Sequence, residues 1–205
     1  MEKIRNFYYK YNHLFFAFIS FIIILTILNS DGGTGLSDNF DFNRVMQACS
    51  IEHIEPQKDF TYIPVYRLIL KGSTLGERLI NVLFSTENVN FYPSIQIFFV
   101  RISVAVNMLI SKITGSPMDL YKLYILGYMY AILYSISLGI FFSKIKIKPN
   151  IAPDAVFKSI ILLVLCDAGY ITYFNSFYSE PLQIISFILI CAYIIEIVSK
   201  PEPRI

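Results

Sequence analysis

Two short runs in this 205-residue chain contain residue types able to do chemistry: Asp41-Phe42-Asn43-Arg44 and Ser179-Glu180-Pro181. Asp41 follows two further acids, Asp31 and Asp38, and lies three residues before Arg44, so on a helix Asp41 and Arg44 share a face. One reading is a capped, solvated helix start with a local ion pair. The other is a carboxylate able to act as general base or to bind a divalent cation. Glu180 closes the stretch GYITYFNSFYSEP (169–181), which holds no Lys or Arg and no other acid. It either favours the N-terminus of the helix that follows or supplies a second carboxylate. Asp167, set among apolar residues, either marks a function or is held by a hydrogen bond to a neighbouring helix. Asp41 and Glu180 are expected to converge on one cavity, which Asp167, Tyr170 and Asn175 would line or support. Arg101 could pair with one of the acids or contact a lipid phosphate. His13 and His53 are isolated and receive no role.

The elements that must position these groups are membrane elements. Hydrophobic residues make up 55% of the chain and charged residues 16%, where a soluble domain carries closer to a quarter charged. The net charge of +2 gives no footing for a nucleic-acid partner. Cys49, Cys166 and Cys191 have no close spacing, so neither a disulfide framework nor a zinc site is expected. Cys166 and Cys191 read as small buried apolar residues.

Apolar runs predict spans at 13–29, 121–142, 156–174 and 182–198. The first could be a signal peptide, but no small-x-small cleavage site follows it, and an uncleaved span is the better reading. Segment 96–113 is apolar but contains Arg101, and Gln96, Ser103, Asn107 and Ser111 recur along one helical stripe. Basic residues lie at Lys3, Arg5 and Lys10, at Lys144, Lys146 and Lys148, and at Lys200 and Arg204. Four spans put all three groups in the cytoplasm together with the N-terminus, whereas a fifth would not. Segment 96–113 is therefore expected to lie at the outer surface as an amphipathic helix, a re-entrant course being the alternative. The expected fold is an all-α membrane protein, a single domain over 1–205 with about four transmembrane helices and external amphipathic surface helices. The external segment, 30–119, should hold a short helix capped by Ser37 or Asp38 and a second short amphipathic helix at 75–84.

The order of these features resembles the N-terminal part of the GT-C class of integral-membrane glycosyltransferases. In its protein mannosyltransferase and aminoarabinose transferase branch, the first external loop carries an Asp-x-x-Arg motif, which Asp41 to Arg44 matches. A proline-containing surface helix follows there, at the place of Tyr92-Pro93-Ser94. An acid beside a proline between the third and fourth spans corresponds to Glu180-Pro181. The phrase DAGYITYFNSFYSEP is also similar to a bacterial group of uncharacterised or hexose-transferring membrane proteins. The resemblance implies a bacterial cell-membrane protein that uses a lipid-linked sugar donor, a polyprenyl-phosphate sugar, on the extracytoplasmic face. Asp41 and Glu180 would be catalytic, supported by Asp38, Arg44, Asp167, Tyr170 and Asn175, with Arg101 towards the lipid phosphate. It implies no fixed cofactor, metal dependence varying across the class. Members of the class have many more spans, so this sequence is expected to be an N-terminal portion. The alternative is a non-catalytic small membrane protein, either a truncated remnant or an assembly subunit.

Overall fold

The computed structural model describes residues 2–30, 33–38, 41–55, 62–84, 94–145, 147 and 150–199. Tyr92, Pro93, Asp31, Lys146, Lys148, Lys200 and Arg204 lie outside the described residues. The chain divides into two compact units, the first holding Met1–Ile27, Tyr130–Ile171 and Glu180–Ile205, the second Leu28–Met129 and Thr172–Ser179.

The first unit is helical. It contains α1 (Glu2–Leu28) up to Ile27, α5 (Tyr124–Lys144) from Tyr130, α6 (Ile151–Leu165), α7 (Ala168–Ile171) and α8 (Glu180–Ser199). Gly139 lets α5 approach α1 closely: a Cβ there would stand 3.1 Å from the Ala17 side chain. Phe16 and Phe142 fill the same seam, with ring centroids 5.2 Å apart. Lys144 at the end of α5 meets Glu196 of α8 at 2.8 Å. Asp154 and Lys158, fully buried and one turn apart on α6, pair at 2.9 Å. The Tyr8 hydroxyl and the Ile147 N–H also donate to the Asp154 carboxylate, each at 2.8 Å. The carboxylate half of this buried pair is thus well satisfied, as the cost of burying a charge requires.

The second unit is mixed. It contains α2 (Phe42–Ala48), β1 (Ile51–Glu52), β2 (Val65–Leu68), α3 (Leu75–Phe84), α4 (Ile95–Thr114), β3 (Leu120–Lys122) and a 3₁₀ turn, Thr172–Asn175. The strands form an antiparallel sheet in the order β1-β2-β3, pairing Ile51 with Leu68 and Tyr66 with Tyr121. This small sheet is an addition to the all-α expectation. Strands of two to four residues are too short to show a period of two in sequence.

Helix α3 has the expected bounds, and α4 runs one residue further than expected at each end. Helix α6 stops at Leu165, where an unbroken run to Phe174 was expected. The cause is Asp167: its Oδ1 accepts the Gly169 N–H at 2.8 Å, and its carbonyl accepts from Tyr170 and Ile171. A side chain that bonds the backbone two residues on competes with helix continuation. Asp167 is consequently exposed at a helix break and is not an acid within a continuous helix. Helices α1, α4, α5 and α8 are each long and apolar enough to cross a bilayer, and α6 qualifies only together with the turns that follow it.

Candidate functional site

The sequence's polar stripe on α4 is buried. Ser103 Oγ lies 2.7 Å from the Tyr121 hydroxyl. Asn107 donates to the Leu120 carbonyl at 2.8 Å and accepts from the Lys122 N–H at 3.2 Å. Gln96 donates to the Phe177 carbonyl. These bonds tie α4 to β3 and to the segment around Phe177, and the helix turns its Ile and Phe residues outwards. Such an inside-out pattern suits an element that faces lipid on one side and a polar protein interior on the other.

The link 169–181 contributes a plug to the second unit. Phe174, Asn175, Ser176 and Phe177 are all buried. Phe177 packs against Phe42 and Tyr66, with ring centroids 5.3 and 5.2 Å away. Asn175 Nδ2 donates to the Thr34 carbonyl at 2.6 Å and more weakly to Leu28 at 3.4 Å. The chain comes close here: a Cβ on Gly35 would lie 2.5 Å from the Asn175 carbonyl oxygen, and one on Gly127 would lie 2.0 Å from Asn175 Oδ1. Asn175 is therefore a clamp on the start of the 30–119 segment.

Asp38 is the deepest acid of the Asp41 region, only 2% exposed. Its Oδ1 accepts the N–H of Phe42, the first residue of α2, at 3.0 Å, while the N-cap position itself falls to Asp41 and not to Ser37 or Asp38 as expected. Its Oδ2 faces His53 Nε2 at 3.6 Å, and the imidazole packs on Tyr66. His53 received no role from the sequence. Nothing in the spacing of an acid and a histidine fifteen residues apart foretells that the turn at Ser50, a non-glycine residue in the left-handed region at φ 56°, folds them together.

Asp41 and Arg44 are both exposed at the start of α2, Asp41 as the residue just before the helix. Arg101 spans two helix ends. Its Nη2 and Nε donate to the Ala48 carbonyl at 2.9 and 3.3 Å, and Nη1 to the Leu83 carbonyl at 3.3 Å. A guanidinium there satisfies C-terminal carbonyls and opposes the negative ends of two helix dipoles. Beside it Cys49 Sγ contacts the Ile97 carbonyl at 3.8 Å, and burial pushes its thiol up to about 12.

Asp38, Asp41, Arg44, Arg101 and Asn175 thus belong to the second unit, and Asp167, Tyr170 and Glu180 to the first. Tyr170 is exposed. Glu180 opens α8 with Pro181 behind it, an arrangement that places a carboxylate at the positive end of the helix. Its Oε2 is buried without a hydrogen-bond partner among the described residues. No group of three or more His, Cys, Asp or Glu side chains able to hold a metal ion occurs among the described residues.

No curated protein and no solved structure matches the chain. A family model does, over residues 2–205. With its long apolar helices, the chain is an integral membrane protein, and it belongs to the family described as the YfdI N-terminal transmembrane domain.

Proposed function

We propose that the chain forms the N-terminal portion of a membrane glycosyltransferase that uses a polyprenyl-phosphate-linked sugar on the extracytoplasmic face. The observation that carries this reading is the pair of differently placed acids. Asp41 is exposed and three residues before Arg44, whereas Glu180, at a helix N-terminus, has a buried carboxylate oxygen without a hydrogen-bond partner among the described residues. A buried, unsatisfied carboxylate oxygen is costly, and a ligand hydroxyl would relieve that cost. Asp41 takes the proton of an acceptor hydroxyl. The hydroxyl oxygen then bonds to the anomeric carbon of the sugar, and the bond from that carbon to the phosphate oxygen breaks. The polyprenyl phosphate leaves with the electron pair. Arg44 offsets the phosphate charge, and Arg101 adds a positive charge anchored on the carbonyls of Ala48 and Leu83.

The four-span scheme belongs to the same reading. The N-terminus and Lys144 face the cytoplasm, 30–119 faces outwards, and α4 lies at the surface with its stripe towards the sheet. The family description, of an N-terminal transmembrane domain, supports an N-terminal role.

The test is transfer of radiolabelled sugar from a panel of polyprenyl-phosphate sugars to membrane acceptors, using the full gene product in native membranes. Asp41→Asn and Glu180→Gln should each reduce transfer by at least about 10²-fold, the scale of an acid–base contribution. Undiminished transfer in both single variants overturns the reading and favours a non-catalytic subunit.

A further inference from the structure

Helix α3 begins with a complete capping box. Thr74 Oγ1 accepts the Glu77 N–H at 3.2 Å, while Glu77 Oε2 accepts the N–H groups of Thr74 at 3.3 Å and Ser73 at 2.8 Å. Its other polar side chains also bend back over the preceding loop. Arg78 Nε donates to the Gly72 carbonyl at 3.0 Å and Asn81 Nδ2 to the Lys71 carbonyl at 2.9 Å. The polar groups are thereby gathered on one side of the helix. Ile80 and Phe84, one turn apart, border that polar side, Phe84 lying seven residues on from Glu77, and are 61% and 73% exposed. Helix α3 packs against α4 within the second unit, and α4 exposes Ile95, Phe98, Leu109, Ile110 and Ile113.

A ten-residue helix is only about 15 Å long and cannot cross the hydrocarbon core. A short helix with one apolar side and its charges gathered elsewhere is suited to lie in the plane of a membrane interface. Solvent-exposed apolar clusters of this kind are rare on monomeric soluble surfaces. The chain is an integral membrane protein, and α3 adjoins a helix whose outward residues are themselves apolar. We propose that α3 is seated in the lipid interface, with Ile80 and Phe84 inserted among acyl chains as a continuation of the outward face of α4. The occupant of this surface is the bilayer itself. The site makes the external segment a second membrane contact and does not depend on the proposed transfer reaction.

The chain contains no tryptophan, so one introduced residue reports alone. Ile80→Trp, Phe84→Trp and Ile113→Trp would each be compared in vesicles of dioleoylphosphatidylcholine and in vesicles of its acyl-brominated analogue. Asn81→Trp serves as the polar-side control and Phe187→Trp, on the exposed side of α8, as the lipid control. The expected result is at least twofold bromine quenching at positions 80, 84 and 113, comparable to position 187, with little at 81. Because 80 and 84 are already exposed, both variants should fold, and each tests the proposal separately. Strong acrylamide quenching without bromine quenching at 80 and 84 shows a water-facing helix and overturns it. Protection from both quenchers at these two positions shows a protein partner and overturns it equally.

Discussion

At the scale of single residues, the acids of the Asp41 region divide by burial. Asp41 is exposed, so Asp41→Asn should leave thermal unfolding in detergent essentially unchanged while abolishing sugar transfer. Asp38 is buried, accepting the Phe42 N–H and facing His53. Asp38→Ala should therefore destabilise the chain by about 1–3 kcal/mol, the cost of leaving the buried Phe42 N–H unsatisfied. Equal melting temperatures for these two variants would contradict the assignment. With its thiol at about 12, Cys49 should be a thiolate in only about one molecule in 10⁴ at pH 8. Cys49 should therefore be alkylated only on unfolding. Rapid labelling of Cys49 in the folded protein, read by mass spectrometry, would show that its surroundings are open. The acid-rich cluster around Asp41 was visible in the sequence because those residues are neighbours in the chain. The Asp38–His53 and Tyr8–Asp154 contacts were not, because folding alone brings distant residues together.

At the scale of elements, two glycines make a matched comparison. A methyl group on Gly35 would collide with the Asn175 backbone, whereas one on Gly76 in α3 meets nothing within 4 Å. Gly35→Ala should lower stability through overpacking by about 1–3 kcal/mol. Gly76→Ala should raise it by up to about 1 kcal/mol through helix propensity. Thermal unfolding of both variants tests the tightness of the clamp at Asn175. The N-terminus of α3 also has a pH signature. The Ser73 backbone N–H, then the Ser73 hydroxyl and the Thr74 N–H, hold the Glu77 carboxyl below the ordinary carboxylate range. A lowered folded-state value means that the stabilisation is full above the usual glutamate range and is lost as pH falls through the lowered value. Protection from hydrogen exchange at the first turn of α3, measured relative to the intrinsic rate at each pH, should fall in acid in the wild type, and Glu77→Gln should abolish that fall. The capping box itself was legible as Thr-x-x-Glu. The sheet was not, because its three strands owe their existence to partners distant in sequence.

At the scale of the whole molecule, the orientation scheme makes a direct prediction. In a chain with its three cysteines replaced by alanine, Ser143→Cys should be labelled only from the cytoplasmic side of intact cells, and Tyr170→Cys only from outside. Tyr170 suits this test better than nearby Ser176, which the fold buries completely. External labelling of Ser143→Cys would reverse the scheme. Composition determined that this is a membrane protein, because an apolar helix long enough to span a bilayer is a local property of consecutive residues. The helical periods of α3 and α4 were likewise written in the chain, as was the polar stripe through Gln96, Ser103, Asn107 and Ser111. Only the tertiary structure decided what that stripe faces, since a periodic pattern fixes a side of a helix but not its partner. It also decided that Asp167 interrupts a helix and that the aromatic link ending at Glu180 supplies Phe177 and Asn175 to the interior of the second unit. Those outcomes depend on which backbone groups lie within hydrogen-bonding reach after folding, and no local pattern of residues encodes that distance.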